Sequence, residues 1–165
     1  MATSLIKKTS SSKTKKPVDA MALLRADHKA VGALFEEYKT LRSPAKKKAL
    51  VAKICTELSV HAQVEEEIFY PAVQKALKDR TLVPEATVEH ATMKGLIGQV
   101  EGKEPDGDMF DAKITVLAEY VAHHVKEEQG EMFPKAKATS LDLHALGAQI
   151  AARKGELLAA RGAPQ

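Results

Sequence analysis

His61-Ala-Gln-Val-Glu-Glu-Glu-Ile-Phe-Tyr-Pro71 and His124-Val-Lys-Glu-Glu-Gln-Gly-Glu-Met-Phe-Pro134 are two versions of one pattern, and reading them together decides the fold. In each, a glutamate (Glu65, Glu128) follows the histidine by four residues, and an aromatic-proline pair closes the stretch. That spacing stacks imidazole and carboxylate one turn apart on the same face of a helix. The residues upstream also correspond: Asp27-His28 precedes the first stretch and Glu89-His90 the second. His28 and His61 are 33 residues apart, His90 and His124 34. The chain therefore reads as two helical hairpins, each with one histidine on its first helix and His-x-x-x-Glu on its second.

Working outward, Pro17 and Asp19 mark the start of the first helix. Met21, Leu24, His28, Val31, Leu34, Phe35 and Tyr38 then recur at helical spacing. Ser43-Pro44 is a turn and a new start, with Ser43 as N-cap and Pro44 in the first helical position. Pro71 falls inside the second periodic stretch, which predicts a bend or break near Phe69-Tyr70. A connection around Asp79–Pro84 leads to a third helix ending near Val100, and Gly102 to Gly107 is a loop. The fourth helix begins near Asp108 and continues past Glu131. Ser140 reads as the cap of a fifth, from about Leu141 to Arg161, with a frayed end beyond. The expectation is an all-α, up-down-up-down antiparallel four-helix bundle over residues 17–138, with an extra C-terminal helix in 139–165.

Composition agrees. The 165 residues fit one domain, aromatics are 4%, Trp is absent, and Ala, Leu, Lys and Glu dominate. The net charge of +3 is uneven. Residues 1–16 hold Lys7, Lys8, Lys13, Lys15, Lys16 and no acid, so the remainder carries −2. The first 16 residues read as a disordered, solubilising tail, and the acidic body makes nucleic acid an unlikely partner. The single cysteine, Cys55, excludes a disulfide framework and a Cys-rich zinc site, and reads as core. No apolar run approaches a membrane span and no signal-peptide region opens the chain, so a cytoplasmic location is expected.

His28, His61, His90 and His124 fall one on each bundle helix, among apolar neighbours. Counted from the turns at 1.5 Å rise per residue, each hairpin's pair lies within about one turn of level. Four imidazoles and two carboxylates buried together without a cation would carry a heavy desolvation cost. With no thiolate, the set suits iron, zinc or manganese. A ferritin-like centre would need Glu-x-x-His pairs, and the sequence has none.

The phrases Ala-Asp-His-Lys (26–29), His61 to Pro71 and His124 to Pro134 resemble bacterial members of the hemerythrin-like, HHE cation-binding family, over about residues 18–138. The resemblance implies a non-haem di-iron centre with His28, His61, His90 and His124 as terminal ligands and Glu65 and Glu128 bridging. Oxygen-carrying members of the family have a second histidine one turn after the third-helix ligand, where this chain has Lys94. One iron is then left with an open position, or takes His123, Glu127 or Glu66. An open position favours reaction with O2, peroxide or nitric oxide over reversible O2 carriage.

The remaining residues read plainly. Glu66, Glu67, Glu127 and Glu131 look solvated, His123 looks like surface or an outer contact, and His144 looks ordinary. Tyr70 and Phe133 are expected to pack the bundle end. Three functions fit: binding of O2 or nitric oxide, turnover of peroxide or nitric oxide, and a metal-sensing or metal-stabilised bundle. An iron-dependent protein of oxidative or nitrosative stress protection is the favoured expectation.

Overall fold

The computed structural model describes residues 18–78 and 80–162. The Lys-rich tail expected over residues 1–16, the start expected at Pro17 and residues 163–165 lie outside that range. Helix α1 (Ala20–Thr40) is capped by Asp19, whose carboxylate accepts from the Ala22 N–H at 2.9 Å. Its apolar stripe is buried from Met21 to Tyr38. Ser43 caps α2 (Pro44–Val64), with Pro44 in the first turn.

Pro71 does not break the second helix. The chain widens just before it into a π-helical turn, Glu65–Phe69, and resumes as α3 (Tyr70–Ala76). The Tyr70 N–H reaches back five residues to the Glu65 carbonyl. Pro71 thus sits in the first turn of α3, after the ladder has been reset. The second hairpin repeats the device. After α4 (Leu82–Val100), α5 (Asp108–Glu127) passes through a π-helical turn, Glu128–Met132, into α6 (Phe133–Lys137), with Pro134 in its first turn. Helix α4 begins earlier than the sequence suggested, so Pro84 lies in its first turn, where an N–H has no intrahelical partner. Helix α7 (Leu143–Ala160) is capped by Asp142 rather than Ser140. The Asp142 carboxylate accepts from His144 and Ala145, while the Thr139 hydroxyl holds the preceding turn by accepting from Leu141.

The two hairpins, α1/α2 and α4/α5, pack side by side, and α7 lies along α1, α2 and the first π turn. Gly147 allows α7 to approach closely, because a Cβ there would stand 2.0 Å from the Val18 carbonyl oxygen. The apolar core has two parts. One, with Leu34, Ile54, Ile97, Phe110 and Leu117, lies toward the hairpin loops. The other, with Leu24, Val64, Phe69, Met132 and Ile150, fills the opposite end. Between them lies a buried polar layer. No helix among the described residues is long and apolar enough to cross a membrane.

Candidate metal centre

The polar layer is made by the six residues singled out from the sequence. His28 comes from α1, His61 from α2, His90 from α4 and His124 from α5, while Glu65 and Glu128 each open a π turn. None is more than 8% exposed. Within each hairpin the imidazoles meet through Nε2: His28 and His61 at 3.0 Å, His90 and His124 at 3.2 Å. Glu65 lies between the two pairs. Its Oε1 is 3.0 Å from His61 Nε2 and its Oε2 is 3.3 Å from His90 Nε2. Glu128 Oε2 is 3.2 Å from His28 Nε2 and 4.0 Å from His124 Nε2.

The outward nitrogens are held by a second ring of side chains, each adjacent in sequence to one of the six. His61 Nδ1 lies 3.2 Å from Asp27, His124 Nδ1 2.7 Å from Glu89, and His90 Nδ1 2.9 Å from Glu66. A carboxylate only accepts, so these three rings keep a proton on Nδ1 and, when neutral, turn a lone pair on Nε2 inward. His28 is held differently. Arg25 donates to Gln129 Oε1 at 2.9 Å, so the Gln129 amide donates to His28 Nδ1 at 2.7 Å. The proton of a neutral His28 is then left on Nε2, the nitrogen facing Glu128. Each group of the second ring is backed by a cation or an imidazole: Lys154 on Asp27, Lys94 on Glu66, Arg25 on Gln129 and His123 on Glu89.

The residues fit a bound cation. Glu65 Oε1 and both oxygens of Glu128 are buried without a well-aligned hydrogen-bond donor, only imidazole nitrogens standing near them, which is costly for a carboxylate unless a metal satisfies it. Two nitrogens each about 2.1 Å from a shared ion and at right angles stand about 3.0 Å apart, close to the separation in both histidine pairs. The donor atoms form two groups, His28/His61/Glu65/Glu128 and Glu65/His90/His124, with Glu65 common to both.

Crowding of the two acids sorts their protons. Burial raises Glu65, but His61 and His90 beside it hold its carboxyl well below the usual range. Glu128 shifts the opposite way, raised by burial and by the charge of Glu65. Burial acts to lower His61, yet Glu65, with Asp27 behind, pushes it up to about 10.

Three expectations from the sequence are corrected. Tyr70 does not simply pack the bundle end. Its hydroxyl enters the site, 3.2 Å from His90 Nε2, 3.4 Å from His124 Nε2 and 3.4 Å from Glu65 Oε2. Phe133, its counterpart in the repeat, stacks on His28 with ring centroids 6.1 Å apart. Glu66 is not a solvated charge, since it is bound to His90 Nδ1 and to Lys94 Nζ. Nor do the stand-ins for a ligand at Lys94 reach the inner group. Glu66 stays outside His90, while His123 and Glu127 pair with each other on the surface. Asp27, Glu89 and Gln129 were given no role by the sequence, and their only signal is adjacency to His28, His90 and Glu128.

Beside the histidines, on the side of the hairpin loops, lies a cavity of about 20 Å³ walled by Val31, Leu58, Met93, Ile97, Val121 and Val125. That is space for about one water-sized molecule.

Comparison with known proteins places this arrangement. A DNA nickase from Nostoc sp. is 29% identical over 119 residues, which are 72% of this chain and 34% of that protein. The chain therefore spans about a third of that relative's length. The crystal structure of a hemerythrin HHE cation-binding domain-containing protein from Mycobacterium kansasii superposes with a TM-score of 0.75. It covers 87% of this chain and 89% of that one at 22% identity, a likeness of fold. The hemerythrin HHE cation-binding domain matches residues 19–136, from the cap of α1 into α6, and the chain belongs to that family.

Proposed function

We propose that this domain holds two iron ions, non-haem and carboxylate-bridged, and uses them to bind or react with O2, nitric oxide or peroxide in protection against oxidative or nitrosative stress. The observation that carries the reading is the position of Glu65, whose two oxygens face different histidine pairs. His28 and His61 would hold one ion, His90 and His124 the other, with Glu65 and Glu128 between them. When bound, such a pair supplies redox chemistry and coordination positions for a small ligand.

The chain's own residues suit that use. The mostly apolar cavity leaves room beside the histidines for a molecule of about the size of water. Tyr70 brings the one phenolic proton within reach of Glu65 and His90, and burial together with Glu65 and Glu128 keeps that hydroxyl protonated. Lys94 lines the cavity as a cation held by Glu66 and supplies no imidazole. That favours a reactive centre over a reversible carrier. The proposed setting is the cytoplasm.

Peroxide consumption by the iron-loaded chain tests the reading. Turnover that is abolished in His124→Ala and retained in the exposed variant Glu67→Ala supports it. Tight, reversible gas binding without consumption would replace it with a carrier. The activity in the name of the Nostoc relative is not carried over, because most of that protein lies outside the match.

A further inference from the structure

The two hairpins repeat each other inside the bundle but differ on their outer faces. On the first, α7 covers the surface behind the histidines. Val60 and Val64 are fully buried there, and Lys154 of α7 places its ammonium on Asp27. The matching surface of the second hairpin has no covering helix among the described residues, and it is acidic. His123 stands where the first hairpin has Val60, and Glu127 where it has Val64. His123 Nε2 lies 3.3 Å from Glu127 Oε1 and 3.5 Å from Glu89 Oε1. His123 is 61% exposed, and the three side chains offer donor atoms within 4.8 Å of one another.

Behind this cluster is a small cleft of about 10 Å³, lined by Glu85, Glu89 and Glu127, by the buried His124 and Glu128, and by the apolar Leu82, Ala86 and Met132. Glu128 is 2% exposed, and neither of its oxygens has a well-aligned hydrogen-bond donor. Carboxylates and an imidazole thus stand on both sides of this cleft, at the exposed cluster and at the buried Glu128. A divalent ion cannot shed its hydration shell in one step without a large penalty, and successive carboxylates and an imidazole replace that shell gradually. The covered face offers the ion an ammonium instead.

We propose that the Glu85/Glu89/His123/Glu127 surface is the loading port of the buried centre. His123, Glu127 and Glu89 hold a divalent cation transiently, and it then passes along the cleft to His124 and Glu128. The port rests on the reading of the six buried residues as a metal centre.

Stopped-flow uptake of Co2+ by the chelator-stripped full chain tests it, read by the visible absorption that Co2+ acquires in a nitrogen- and oxygen-donor site. The triple variant Glu85→Gln, His123→Gln, Glu127→Gln is compared with Glu36→Gln, which removes a surface charge on α1. The port requires the triple variant to load about tenfold more slowly, as expected for lost electrostatic focusing. Its final Co2+ content and spectrum should match wild type, and its rate should depend less on salt. Equal rates in the triple variant and wild type would overturn the port. So would a changed final spectrum or content, which would make these side chains ligands. Failure of the metal-centre reading shows itself separately, as no Co2+ spectrum in the wild-type chain.

Discussion

Glu66 and Gln129 occupy matching positions, one residue past Glu65 and Glu128, yet Glu66 holds His90 Nδ1 as a carboxylate at 2.9 Å and Gln129 holds His28 Nδ1 as an amide at 2.7 Å. Each reaches across from one hairpin to the histidine of the other, so together they tie the halves of the bundle at the level of the site. The difference makes His28, with all four rings neutral, the one whose inward nitrogen carries the proton.

A carboxylate at position 129 should remove that difference. Gln129→Glu places an acceptor on His28 Nδ1, moves the proton outward and frees Nε2, with Arg25 close enough to pair with the new charge. Changing such outer partners typically alters metal affinity by about 10- to 100-fold, and here the change should tighten binding. Competition titration against a chelator measures it. Unchanged or weaker affinity would show that Gln129 already turns its oxygen to His28.

Protons and cations compete for His61. Its value of about 10 lies above its ordinary 6.5, so in the stripped chain its contacts with Glu65 and Asp27 contribute stability fully below about pH 6.5. That contribution is lost as pH rises through about 10. Glu128, raised from its usual value, acts in the same sense. The stripped chain should therefore lose thermal stability from pH 6.5 toward 10, while a loaded chain, having already released the His61 proton, should not. Thermal unfolding at several pH values, with and without metal, checks this, and parallel curves would contradict it.

Tyr70→Phe copies the second hairpin's aromatic into the first and removes only a hydroxyl. Iron content should stay at the wild-type level, while the optical spectrum of the oxidised centre and the rate of peroxide consumption should both change. An unaltered spectrum and rate would return Tyr70 to a packing role.

Gly147→Ala tests the docking of α7. The added methyl meets the Val18 carbonyl, and the helix must shift outward at a cost of about 1–3 kcal/mol. The melting temperature should drop while metal stoichiometry is kept. A melting temperature equal to wild type would mean that α7 repacks without strain.

Much of this was legible in the sequence because repetition carried it. Helical spacing from Met21 to Tyr38, the Ser43-Pro44 start and the two His-x-x-x-Glu stretches fix faces and register without tertiary information. The π turns were not legible, since Pro71 and Pro134 signal only that a regular ladder cannot continue. A widened turn and a broken helix share that signal. The cap at Asp142 was missed because Ser140 is an equally good local candidate, and the choice depends on how α7 docks. The outer ring was missed because Asp27, Glu66, Glu89 and Gln129 are polar residues of ordinary kind. Only tertiary packing brings each to its histidine, Asp27 and Glu89 within a hairpin and Glu66 and Gln129 between hairpins. Tyr70 misled because an aromatic before proline at a helix bend usually packs, and only the assembled bundle brings its hydroxyl to His90 and Glu65.

Iron per chain, measured by elemental analysis after anaerobic loading with ferrous iron, tests the central claim most directly. Two irons per chain are expected in the wild type, falling sharply in the Glu65→Ala, Glu128→Ala double variant. No retained iron, or a single zinc that survives those substitutions, would contradict the di-iron centre.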